Sequence, residues 1–172
     1  MTLLNAPGLR LIPEFITESE EVELLLHLRL LMPDAQRHGV RDRNTIVRFG
    51  SNKPYDTHCA GKIPASLKWL LDKLEASGHI DTRPDSITIN EYYPGQRIQP
   101  HIDHPDCGPV ITVLSLSSPA TMIFTKQGEE NIVVELPRRS LVQMRDAIRY
   151  DWNHEIEPVA DLRYSMVFRR SQ

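Results

Sequence analysis

A chain of 172 residues with 40% hydrophobic and 25% charged side chains is long enough to bury one core and ordinary in composition for a globular protein. Its formal net charge of −3 excludes a protein that coats nucleic acid through bulk positive charge, although a local basic patch is compatible with it. Two cysteines, Cys59 and Cys107, are too few for a disulfide framework, and no apolar stretch approaches the ~20 residues of a membrane span, so a soluble, cytoplasmic, monomeric protein is expected.

In chain order, Thr17-Glu18-Ser19-Glu20 has the form of a capping box, in which Thr17 and Glu20 each satisfy a free amide. Apolar residues then recur at helical spacing at Val22, Leu24, Leu25, Leu28 and Leu31, until Pro33 and Asp34 end the pattern. The stretch 36–55 that follows is basic, with Arg37, His38, Arg41, Arg43 and Arg48 around a strand-like Ile46-Val47-Arg48-Phe49. It reads either as a basic hairpin or as a solvated surface loop. A second helix is predicted from Pro64 through Leu67, Leu70, Leu71 and Leu74 to Gly78, a good C-terminal cap.

After Asp85 short β-rich runs alternate with turn residues such as Pro94-Gly95 and Cys107-Gly108-Pro109. The predicted strands are Ser86–Tyr93, Arg97–Asp103, Val110–Leu116, Thr121–Thr125, Ile132–Leu136, Leu141–Met144, Tyr150–Ile156 and Tyr164–Arg169. Such spacing favours a sandwich or barrel over alternating β/α units. The fold class expected is α+β, with two N-terminal helices buttressing one β-core.

Within that core His101-Ile102-Asp103 lies on a predicted strand, where residues two apart share a face and converge on one point. His154, from a distant strand, completes two histidines and a carboxylate, the facial set that non-haem iron(II) oxygenases use. His58, His104 and Cys107 are alternative ligands, and a structural zinc site is disfavoured because the cysteine pairs that close such sites are missing. Arg163, Ser165, Val167 and Arg169 share one strand face, and Tyr164, Met166 and Phe168 the other. Two arginines inside a β-core need an anion; a dicarboxylate matches the guanidinium fork, and internal acids are the alternative. Asn90 and Tyr92 also share a face and carry hydrogen-bonding groups for an oxo-acid, which places them with His101 and Asp103 on adjacent strands after the Pro94-Gly95 turn.

Asn90-x-Tyr92-x-Pro94-Gly95, His101-x-Asp103, His154 and Arg163-x5-Arg169, in this order, resemble the AlkB family of Fe(II)/2-oxoglutarate dioxygenases from about Leu9 to Arg170. The resemblance implies a double-stranded β-helix (jelly-roll) core and one dioxygenase domain across 1–172. It assigns iron to His101, Asp103 and His154, and the oxygens of 2-oxoglutarate to Asn90, Tyr92, Arg163 and Arg169, with O2 as the oxidant. It also makes 36–55 a candidate substrate-recognition lid, in which Arg37, Arg41, Arg43 and Arg48 meet the phosphates of DNA or RNA and Tyr55 or Trp152 stacks a base. Leu136-Pro137-Arg138-Arg139-Ser140-Leu141 and Arg149-Tyr150-x-Trp152-x-His154 look like the branch that hydroxylates a modified tRNA wobble uridine. Two positions depart from the base demethylases: Pro105 stands where an acid is common, and Glu155 where a glycine commonly follows the second histidine. The activity implied is oxidative demethylation of alkylated bases. Hydroxylation of a tRNA uridine or protein side chain, and a catalytically silent nucleic-acid-binding module, are the alternatives.

Overall fold

A computed structural model describes residues 2–3, 6–32, 43–51 and 59–172. Two short strands, β1 (Thr2–Leu3) and β2 (Leu9–Ile12), precede helix α1 (Glu18–Leu31). Next come β3 (Thr45–Gly50) and, after a 3₁₀ turn, α2 (Lys68–Ala76). The strands β4 (Ser86–Tyr92), β5 (Ile98–His101), β6 (Ile111–Leu116), β7 (Ala120–Thr125), β8 (Ile132–Leu136) and β9 (Leu141–Met144) follow. A single helical turn, α3 (Asp146–Tyr150), leads to β10 (Asn153–Ile156) and β11 (Arg163–Arg169). All the paired strands run antiparallel, in a seven-stranded sheet of order β1-β2-β9-β6-β11-β4-β3 and a four-stranded sheet of order β5-β10-β7-β8. This is the jelly-roll expected from the sequence.

Strand alternation divides the interior into two cores. On the outer face of the large sheet, Ile87 and Ile89 of β4, Leu114 and Leu116 of β6, and Tyr164, Met166 and Phe168 of β11 pack under Leu24 and Leu28 of α1 and Leu70, Leu71 and Leu74 of α2. The opposite face of the same strands supplies Ile111, Val113 and Val167 to a second core, where Met122, Phe124, Val134, Leu136 and Ile156 of the small sheet meet them. Because β11 carries large apolar residues on one face and Arg163, Ser165 and Arg169 on the other, it is the wall between a greasy layer and a polar cavity. No helix among the described residues is long and apolar enough to cross a membrane.

Several boundaries differ from the sequence reading. β1 and β2 were not expected; β2 extends the large sheet by pairing with β9. The predicted strand beginning at Tyr150 starts at Asn153, because Asp146–Tyr150 closes a helical turn first. The strand-like core of 36–55 is no free hairpin: β3 pairs along the whole of β4 as the edge of the large sheet. The capping box of α1 forms, with Glu20 N–H donating to Thr17 Oγ1 at 3.2 Å and Thr17 N–H donating to Glu20 Oε2 at 2.7 Å. Its buried stripe, however, is Glu21, Leu24 and Leu28, while Val22 is 59% exposed. Glu21 occupies a position the helical repeat assigns to an apolar residue, and the Pro137-Arg138-Arg139 turn explains it. Glu21 accepts from Arg138 Nη2 at 2.7 Å and from the Ser117 N–H at 2.8 Å, with Arg139 Nη1 3.6 Å away.

Burial opposes ionisation of Glu21, but those hydrogen bonds and the two arginine charges outweigh it and hold the carboxyl below its ordinary value. The stability it supplies is therefore complete above its ordinary value of 4.5 and is lost as pH falls through the lower folded value. Glu21→Ala, which takes the acceptor from the Ser117 amide and from Arg138, is expected to cost about 3 kcal/mol at pH 7 in urea unfolding. The difference between wild type and variant should shrink as pH drops below 4.5; a gap that persists unchanged at pH 3 would contradict the ionised-carboxylate account.

Candidate metal centre

β5 and β10 are neighbours in the small sheet, and their register sets His154 directly opposite His101. Opposed residues of an antiparallel pair project to the same side, and the two imidazoles meet with ring centroids 4.3 Å apart. β5 stops at His101, so Asp103 follows just beyond the strand rather than on it, ahead of the 3₁₀ turn Pro105–Cys107. Its carboxylate nonetheless joins the pair. Asp103 Oδ1 lies 3.9 Å from His101 Nε2, and one ligand atom from each of the three residues falls within 4.8 Å of the others.

The protonation pattern leaves these atoms open to a metal. His101 Nδ1 is 2.9 Å from the Gln99 carbonyl oxygen, which can only accept, so Nδ1 carries the proton and Nε2 keeps its lone pair. Burial, reinforced by His101, pushes the His154 pKa down to about 4 although Asp103 acts in the opposite sense. That imidazole is neutral at ordinary pH. Burial also resists ionisation of Asp103, but Arg169 and the two histidines reverse the effect and hold its pKa below the usual carboxylate value. Two imidazoles and one carboxylate gathered at one point beside the cavity form a donor set suited to iron(II).

Asp103 is fixed from two sides. Arg169 Nη2 donates to both carboxylate oxygens, at 3.0 and 3.2 Å, and its Nη1 donates to Thr88 Oγ1 at 2.9 Å. Arg149, buried at the end of α3, donates to three backbone carbonyls of the ligand loop: Asp103 at 2.9 Å, His104 at 2.6 Å and Gly108 at 3.1 Å. Gly108 has φ of 84°, and a Cβ there would lie 2.2 Å from the Arg170 carbonyl oxygen, so the tight loop requires glycine. Sequence reasoning quoted Arg149 as part of a motif and gave it no role. Its partners are backbone carbonyls, which carry no residue signature.

A cavity of about 210 Å³ opens beside the three residues. Its walls come from both sheets: Asn90, Tyr92, Arg163, Ser165 and Arg169 on one side, and Ile98, Met122 and Ile156 beside the histidines on the other. The sequence placed Asn90 and Tyr92 on strands adjacent to His101 and Asp103. In the structure β4 belongs to the large sheet and β5 to the small one, so the two pairs face each other across the cavity instead. Arg163 is fully buried; its guanidinium lies over the Tyr92 ring, 4.8 Å from the centroid, and Nη2 donates to Ser115 Oγ at 3.1 Å. Among the described residues its Nε and Nη1 meet no hydrogen-bond acceptor. Asn90 accepts from Asn44 Nδ2 at 2.8 Å and donates to Ser165 Oγ at 3.2 Å, and the Tyr92 hydroxyl stands 3.5 Å from the same oxygen. Asn44, Ser115 and Ser165 are polar partners that sequence reasoning did not assign.

The candidate substrate residues are dispersed. Arg48 of β3 lines the cavity together with Asn44 and Ile46, and Arg43 is exposed beside it. Trp152 is not among the residues that line the cavity; it packs against the inter-sheet core with the Lys126 amino group 5.8 Å above its ring. Arg37, Arg41 and Tyr55 lie outside the described residues.

The chain matches the family model of the 2OG-Fe(II) oxygenase superfamily over residues 8–169. It is 33% identical over 162 residues to the tRNA (carboxymethyluridine(34)-5-O)-methyltransferase ALKBH8 of Mus musculus, a match that takes in 88% of this chain and 24% of that protein. The chain thus spans about a quarter of that relative's length. Among solved structures it is similar to OsALKBH1, with a TM-score of 0.72 and 17% identity over 98% of this chain and 100% of the other. It is also similar to a Pseudomonas putida prolyl-4-hydroxylase, with a TM-score of 0.68 and 16% identity over 96% and 93% of the two chains. These two likenesses concern the fold.

If Arg149 holds the ligand loop in shape, Arg149→Met should weaken divalent-metal binding by about tenfold or more, the usual effect of losing a group that orients a ligand. Equilibrium titration with Mn(II) reads this directly. Unchanged affinity in a folded variant would reduce Arg149 to a packing residue.

Proposed function

The chain belongs to the 2OG-Fe(II) oxygenase superfamily, and we propose that it oxidises a base in nucleic acid at an iron held by His101, Asp103 and His154. As a family member it is an Fe(II)- and 2-oxoglutarate-dependent dioxygenase that consumes O2. The observation that carries the co-substrate assignment is Arg163. A fully buried guanidinium with two donors unmet among the described residues, in the wall of the cavity that also holds the metal residues, calls for a bound anion. The far carboxylate of 2-oxoglutarate answers it. Arg169, engaged with Asp103, acts chiefly by keeping that ligand charged and aimed. Asn90 and Tyr92 complete the polar wall, their side chains held by Asn44 and Ser165.

With these groups bound, oxidative decarboxylation of 2-oxoglutarate to succinate and CO2 supplies the oxidant that places an oxygen atom on a substrate C–H bond. The protein contributes position and shielding. His154 presents a neutral nitrogen without a proton to shed, His101 offers Nε2, and Asp103 adds the negative charge. Ile98, Ile111, Val113, Met122, Met144 and Ile156 form apolar walls that exclude water from the reacting centre.

The nucleic-acid assignment draws on the similarity to a relative named for a tRNA uridine and on the basic character of 36–55, of which Arg48 faces the cavity. Oxidation of an N-methyl group yields a hemiaminal that releases formaldehyde, which makes the net reaction demethylation of an alkylated base. The same relative favours a second reading, stable hydroxylation of a modified tRNA uridine.

Incubation of the Fe(II)-loaded protein with 2-oxoglutarate and methylated single-stranded DNA, methylated RNA or modified tRNA separates the two readings. Formaldehyde with a demethylated base identifies demethylation; a base heavier by one oxygen, without formaldehyde, identifies hydroxylation. His101→Ala should reduce either product to background. Succinate formation that no nucleic acid stimulates would overturn the proposal.

A further inference from the structure

β3 ends the large sheet and β5 ends the small one, so the two edges face each other across an open seam. One isolated parallel bridge spans it, joining Arg43 to Arg97 just before each strand begins. The next residues inward, Asn44 and Ile98, both line the cavity, which puts the bridge on its rim. Neither side chain is buried.

Residues paired across a bridge project to the same side, so Arg43 and Arg97 set two like charges on one side of the rim. Like charges in that arrangement repel. Neither arginine has a carboxylate partner among the described residues. Arg97 is steadied instead by neutral Gln99: with the amide turned to match, its oxygen accepts from Arg97 Nη2 at 2.8 Å and Nε at 3.1 Å. The contact aligns the guanidinium and leaves its charge uncompensated. A pair of like charges placed on a rim and kept un-neutralised is explained by an anion that both reach.

We propose that Arg43 and Arg97 form a phosphodiester clamp, which grips the backbone of a single-stranded nucleic-acid segment while one base passes Asn44 and Ile98 into the cavity. The proposal rests on the nucleic-acid reading above and adds where the backbone lies. It brings in Arg97, outside the basic stretch 36–55. Guanidinium pairs well with phosphate oxygens, and a base can enter such a cavity only once it is out of its stack.

Fluorescence anisotropy with labelled single-stranded RNA and DNA, repeated across salt concentrations, tests the clamp. Arg43→Ala and Arg97→Ala should each weaken binding by about fivefold to tenfold at low salt and lower the slope of log affinity against log salt by about 0.7. Arg97→Lys should keep most of the slope. Arg97→Glu should weaken binding further while its thermal midpoint equals or exceeds that of wild type, because the repulsion across the bridge becomes an attraction; unfolding cannot mimic that combination. Wild type that binds oligonucleotides, with both alanine variants unchanged, would overturn the clamp and leave the nucleic-acid reading standing. Wild type that binds none of them would overturn both. Polyglutamate bound as tightly as RNA, and through the same arginines, would overturn the phosphodiester assignment.

Discussion

The carboxylate of Asp103 lies in the protein interior, where an isolated negative charge costs several kcal/mol, and its ion pair with Arg169 makes that burial tolerable. The same pair keeps the ligand ionised when no metal is present and aims it at the two imidazoles. Arg149 complements it from behind by gripping the loop's carbonyls. Two arginines thus hold one aspartate, one by the side chain and one by the backbone, and the metal centre inherits its geometry from both.

A third buried arginine has the opposite status. Arg163 is as deep as Arg149, but among the described residues only Tyr92 and the Ser115 hydroxyl meet its guanidinium, and the cavity beside it is where a counter-charge would bind. Placing all of this on β4 and β11 is economical. Their outer faces dock under α1 and α2 through Ile87, Ile89, Met166 and Phe168, which stiffens the strands whose inner faces carry Asn90, Arg163 and Arg169. The two histidines sit across the cavity on the small sheet, and Asp103, paired with Arg169 of β11, links the two walls.

Much of this was legible in the sequence because it follows from period-two alternation. The split of β11 into an apolar and a polar face, and the capping box of α1, follow from local spacing and appear in the structure. What stayed hidden depends on long-range pairing or on backbone acceptors. The Pro94-Gly95 turn gives no sign that the chain crosses to the other sheet, and so Asn90 and His101 were read as neighbours rather than as opposite walls. The burial of Glu21 has no local signature, because its partners lie 96 and 117 residues away. Trp152, partly buried, packs against the inter-sheet core, as aromatics beside strands commonly do.

That a dicarboxylate bridges Arg163 and the metal is tested most directly by titrating 2-oxoglutarate, without oxygen, into the Fe(II)-loaded protein and its Arg163→Met variant, with calorimetry reading the affinity. Loss of the buried cation should raise the Kd for 2-oxoglutarate by about 100-fold or more while Fe(II) binding stays within about twofold of wild type. Equal 2-oxoglutarate affinity in the two proteins would contradict the assignment and leave the unmet donors of Arg163 to another ligand.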